Sequence, residues 1–176
     1  MSEIKYATLL RVNNLCLRGQ YFELEPDENT RFGTFFSKSL IFSLLVQLRT
    51  KKNRLIASLA NIFLIYLYQS DIGRGAVVSE SIFFPHPSGI IIGSGTRLEG
   101  RIIVFDHTSF GKKYPGTVSG MPKFHGEGVI GSGAKILGDV FVLEKFVIAA
   151  NAVLLHDLKN QTFTGEKIIP GVYFED

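Results

Sequence analysis

The chain has one cysteine, Cys16, among its 176 residues. That excludes an internal disulfide and leads us to expect a reducing cytoplasm. No secretory signal is expected either, because the opening stretch Met1–Tyr6 is polar. No apolar run reaches the ~20 residues of a membrane span. The most apolar stretch, Leu55–Tyr68, is interrupted by Ser58 and Asn61. Burial against the rest of the chain or a neighbouring subunit is expected there, and shallow contact with a membrane surface is the weaker reading. Charge of one sign is also scarce. The formal net charge is +3, and basic residues cluster only in Arg49-Thr50-Lys51-Lys52-Asn53-Arg54. That run reads as a solvated turn between helices, and no nucleic-acid partner is expected.

What the chain does have is a period of six. Apolar residues recur as Ile72, Val78, Phe84, then Ile92, Leu98, Val104, Phe110, then Ile130, Ile136, Val142, Ile148, Leu154. Glycine follows the anchor at Gly73, Gly93, Gly111 and Gly131. A small or β-branched residue often stands four on, as at Ala76, Thr96, Thr108, Ala134 and Ala152. Neither a 3.6-residue helix nor an isolated strand has this period. Hexapeptide strands wound into stacked coils do.

The breaks in the period carry further information. Phe84 to Ile92 is one hexad plus two residues, and Phe110 to Ile130 is three hexads plus two. With three hexads per coil, the anchors sort into three columns. They are Ile72, Ile92, Phe110, Ile130, Ile148; Val78, Leu98, Ile136, Leu154, with Val118 as a weaker member; and Phe84, Val104, Phe124, Val142. The extra residues must bulge at corners, within Pro85–Gly89 and within Lys112–Lys123, where functional groups tend to sit.

The flanks differ in kind. Helices are expected over Ser2–Leu17, Thr34–Thr50 and Asn53–Tyr68, with a loop over Tyr21–Gly33. The expected organisation is an α-helical N-terminal segment over 1–70, a hexapeptide-repeat β-helix over 71–159, and a C-terminal tail over 160–176. In that tail Lys167-Ile168-Ile169-Pro170 would cover the open end of the stack.

This column assignment puts His86, His107 and His125 at one corner, with Asp71 there one coil earlier. A carboxylate beside an imidazole is the arrangement a general base requires. Three imidazoles with a water would alternatively make a zinc hydratase site. The offsets of the three histidines within their hexads differ, which counts against a shared ligand direction. A non-catalytic assembly protein is the third class.

The segments Asp71-Ile72-Gly73-Arg74-Gly75, Pro85-His86-Pro87-Ser88-Gly89-Ile90-Ile91-Ile92-Gly93 and Ile130-Gly131-Ser132-Gly133-Ala134-Lys135-Ile136-Leu137-Gly138 resemble the serine acetyltransferase-like hexapeptide-repeat acyltransferases. The resemblance runs from about Asp71 to Leu158. It implies a left-handed parallel β-helix, usually trimeric, using acetyl-CoA and no metal. It places the catalytic histidine at His86 and its orienting aspartate at Asp71. It places coenzyme contacts at Gly111, Gly131, Ser132 and Ala150, with Lys112 where the family has glycine. Acceptor contacts fall to Ser88, His107 and Met121, the last at the position of a family histidine.

Departures from the family bear on the acceptor. Pro85 stands where serine acetyltransferases have an aspartate before the histidine. Gly120-Met121-Pro122-Lys123 lacks their Arg-His pair. Their helical-domain Asp-Pro-Ala is absent, and Gly165 leads into Glu166-Lys167-Ile168 instead of the usual Gly-x-Pro-Ala ending. Groups to hold an amino acid's ammonium and carboxylate are therefore missing, and burying those charges unpartnered is costly. The expected function is O-acetylation of a hydroxyl acceptor, first a sugar of surface polysaccharide synthesis, alternatively serine.

Overall fold

The computed structural model describes residues 38–114, 116, 120–165 and 168–170. The expected helix over Ser2–Leu17, the loop over Tyr21–Gly33, Cys16 and Val118 lie outside the described residues.

Two helices come first, α1 (Lys38–Arg49) and α2 (Arg54–Tyr68). Asn53 caps α2, its Oδ1 accepting from the amides of Leu55 at 3.0 Å and Ile56 at 3.3 Å. At the other end Gln69 takes a left-handed conformation, φ 52°, and its amide donates to Ile65 O. That closes the last turn and sends the chain directly into the first strand. Helix α2 buries Ala57, Ala60, Leu64 and Tyr68 on one face, while Leu55, Leu59, Phe63 and Tyr66 stay exposed. Among the described residues, no helix is long and apolar enough to cross a membrane.

Twelve strands follow among the described residues. They are β1 (Asp71–Ile72), β2 (Val77–Val78), β3 (Ile82–Phe83), β4 (Ile91–Ile92), β5 (Arg97–Val104), β6 (Ser109–Gly111), β7 (Lys123–Ile130), β8 (Lys135–Leu137), β9 (Phe141–Ile148), β10 (Val153–Leu154), β11 (Leu158–Phe163) and β12 (Ile168–Pro170). One face of the prism is the parallel ladder β1-β4-β6-β8-β10. The other two faces share the long strands β5, β7 and β9, which bend around a corner; β2 and β3 both pair with β5. The result is the left-handed parallel β-helix that the resemblance implies.

Every described hexad anchor is buried, and so are the small or branched residues four positions on. Short strands and tight corners leave room for two inward side chains per hexad, the anchor and the residue four on, which is why the sequence period is so strict. The rings of Phe110, Phe124 and Phe146 stack edge-on along the axis, with centroids 5.7 and 5.4 Å apart. Helices α1 and α2 close the first coil. Phe42 sits edge-on to Phe84 at 4.9 Å and to Tyr68 at 5.1 Å. At the far end, β12 pairs antiparallel with β11 and so covers the last strand edge.

Two expectations need correction. Phe110 pairs with Ile136, not Ile130, so the second insertion adds eight residues beyond three hexads instead of two. The columns are therefore Ile72-Ile92-Phe110-Ile136-Leu154, Val78-Leu98-Phe124-Val142-Leu158, and a third in which Val104, Ile130, Ile148 and Phe163 align. The coil also continues past residue 159, through Phe163. Phe83 is buried, whereas Phe141 is exposed.

Candidate active site

The turn that carries His86 is held at both ends. Ser39 Oγ, on α1, donates to the Pro85 carbonyl at 3.1 Å. The Gly89 amide donates to Tyr68 O at 2.9 Å, and the Ile90 amide to Ser70 Oγ at 3.0 Å. Pro87 is buried between them while His86 is exposed. The imidazole thus stands on a fixed loop at the corner between the third and first faces. Its ring lies 6.2 Å from that of Phe105 between centroids. Ser39 had no sequence signal, because only the fold brings α1 against this turn.

The same corner continues down the stack. Ser88 O accepts from the His107 amide, Asp106 O from the Gly133 amide, and Ser132 O from the Asn151 amide, each at 2.8 Å. His86, Ser88, His107, Gly131, Ser132 and Ala150 therefore share one edge, on successive coils. Gly131 allows the coils to close there: a β-carbon on it would lie 2.5 Å from the Ala150 amide nitrogen.

Asp71 is exposed at the start of the first face, beside this edge. Its amide donates to Ile90 O, and its strand partner is Ile91. Among the described residues no hydrogen bond joins its carboxylate to His86. The carboxylate–imidazole pair at this corner is a different one. Asp106 Oδ2 lies 2.8 Å from His107 Nδ1. Hydrogen bonds from Ser132 and then from His107 hold the Asp106 carboxyl below its ordinary value. Sequence reasoning singled out His107 and passed over Asp106, although the two are adjacent in the chain.

The remaining expected site residues lie elsewhere. His125 is in β7, paired with Glu99 and Leu143, so it does not share the corner of His86 and His107. The common corner expected for three histidines is thereby corrected, since it rested on placing Phe124 in the wrong column. Among the described residues, no group of three or more His, Cys, Asp or Glu is disposed to hold a metal. Gly111 and Lys112 follow the first face, at the corner opposite to Gly131 and Ser132. Met121 is at that corner too: a β-carbon on Gly93 would lie 2.4 Å from its Cε. Within one chain these three cannot meet His86, because a whole face of the prism separates the two edges.

No protein-family model matches the chain. It is 33% identical over 104 residues to a serine acetyltransferase of Mycobacterium tuberculosis, covering 58% of this chain and 44% of that protein. The chain spans about half the length of the curated relatives it matches first. Among solved structures, the Neisseria gonorrhoeae serine acetyltransferase superimposes with a TM-score of 0.74 at 16% identity, over 97% of this chain and 66% of that one. A serine acetyltransferase in complex with CoA gives 0.66 at 19% identity, over 93% and 69%. In sequence and in fold, the chain is serine acetyltransferase-like, a hexapeptide-repeat protein of the left-handed β-helix kind.

Proposed function

We propose that this chain is an acetyl-CoA-dependent O-acetyltransferase, with His86 as the general base. The observation that carries it is the His86 turn. An exposed imidazole stands on a turn whose backbone Ser39 and Tyr68 fix, on the edge where Gly131 and Ala150 bring two coils into close approach. Gly131, Ser132 and Ala150 on this edge are the coenzyme contacts the resemblance implies. In the transfer, His86 takes the proton of the acceptor hydroxyl while the oxygen attacks the thioester carbonyl. The C–S bond breaks, and the proton passes to the departing sulfur. Asp71 stands within the same end of the first coil, as the family's orienting carboxylate. A cytoplasmic location fits both the donor and the lone cysteine.

Serine is the acceptor that the comparisons favour, since the relatives are named serine acetyltransferases. A sugar hydroxyl is the second reading, and one observation favours it: Pro85 and Met121 stand where side chains able to pair with an amino acid's charges would be needed. A homotrimer completes the proposal. Met121, Gly111 and Lys112 lie one edge away from His86, and a neighbouring copy would bring its own set to that histidine.

The test is coenzyme A release from acetyl-CoA with serine or a nucleotide sugar at matched concentration. The proposal expects turnover with serine, and the second reading expects it with the sugar. His86→Ala should lower kcat by ~10²-fold or more, with acetyl-CoA affinity nearly unchanged. Near wild-type turnover in that variant would remove His86 from the mechanism.

A further inference from the structure

The corner that carries His86 holds a second imidazole, and it is the one with a carboxylate partner. Asp106 Oδ2 meets His107 Nδ1 at 2.8 Å, and Ser132 holds the same carboxylate from the next coil. That pairing keeps a proton on Nδ1 and leaves the lone pair on Nε2. Among the described residues Nε2 has no partner, and the side chain is 60% exposed. His107 itself adopts a left-handed conformation, φ 55°. This tips its ring back over the His86 turn: a β-carbon on Gly89 would lie 2.7 Å from His107 Cδ2 and 3.1 Å from Nε2. Only glycine at 89, itself at φ 63°, leaves space for the imidazole there. Lys135 donates through Nζ to the His107 carbonyl, at 2.6 Å, and so braces the backbone without occupying the ring.

We infer that His107, oriented by Asp106, is a second acid–base residue of the transfer, relaying through Nε2 the proton that His86 takes from the acceptor. This rests on the proposed acetyltransferase activity. In the step, the acceptor O–H bond breaks and its proton moves to His86 as the oxygen bonds to the thioester carbon. The proton passes on to Nε2 of His107, and as the C–S bond breaks Nε2 delivers it to sulfur, giving the free thiol. The charged and titratable groups near the ring are Asp106, hydrogen-bonded to Nδ1, His86 across the turn, and Lys135 behind the backbone.

Steady-state kinetics and 15N spectra of the imidazoles test it on the full chain. His107→Gln should lower kcat ~10-fold, short of the ~10²-fold loss of a sole base, with the KM for acetyl-CoA little changed. His86→Ala should retain ~10-fold more turnover than His86→Ala/His107→Gln, and its acidic pH limb should vanish in the double variant. Asp106→Ala should lose the Nδ1–H tautomer of His107 in the spectrum and slow turnover in the same direction. A His107→Gln enzyme matching the wild type in rate and pH profile would overturn this inference alone. So would an Asp106→Ala spectrum unchanged at His107. A wild-type chain that released no coenzyme A with either acceptor would overturn the proposed function, and this inference with it.

Discussion

Thr96 stands where other hexads carry alanine, valine or isoleucine. It is fully buried, and among the described residues its hydroxyl finds no partner. Thr108, in the equivalent place two hexads on, donates instead to Phe105 O at 3.1 Å. An unpaired buried hydroxyl costs more than it contributes, so Thr96→Val should raise stability by about 1 kcal/mol, read as a higher urea midpoint at constant slope. Asp106 makes the opposite kind of contribution. Its folded-state carboxyl is held below the ordinary value of 3.8 by Ser132 and His107. A depressed carboxyl stabilises the fold above its unfolded value, and that stabilisation fades as pH falls through the folded one. Between about pH 5 and pH 3, the wild type should therefore lose more stability than Asp106→Asn. Both residues were plain in the sequence, but what singles them out was not. Whether a hydroxyl or carboxyl is partnered depends on the neighbouring coil, many residues away.

Helix α2 was legible to within a residue because its stop signals are local. Asn53 precedes an apolar run, and a polar Gln69-Ser70 pair ends it. Removing the cap in Asn53→Ala should cost about 1 kcal/mol, seen in chemical unfolding followed by far-UV circular dichroism. The strands were legible for a related reason: each hexad announces its own inward residue, whatever coil it belongs to. What the sequence left ambiguous was which coil. The stretch between Gly111 and Lys123 contains no marker of its length in hexads, so an insertion of two residues and one of eight looked alike. That single ambiguity misplaced His125, and it also put Gly111 and Gly131 into one column. The His86 corner survived, because it is defined upstream of the ambiguity, by Phe84 and Val104.

At the scale of the whole molecule, apolar surface remains unaccounted for by one copy. Leu55, Phe63, Tyr66 and Leu67 are each more than half exposed on α2, and Ile91 and Val153 point outward from the first face. A cyclic assembly would cover such surface on equivalent patches. Light scattering at micromolar concentration should give about three times the 19.6 kDa chain mass. A stable monomer would separate Met121 from His86 for good. One feature of the fold reaches further than the site. Eight extra residues enter at a corner, yet Phe110 and Ile136 still stack face to face, and strands β7 to β10 keep their register. A residue added within a face would instead turn each later side chain inside out. Corner loops can thus lengthen, shorten or change composition while the interior stays untouched. Recognition of a new hydroxyl compound is then a matter of editing a loop, free of any need to repack the scaffold that holds the histidines.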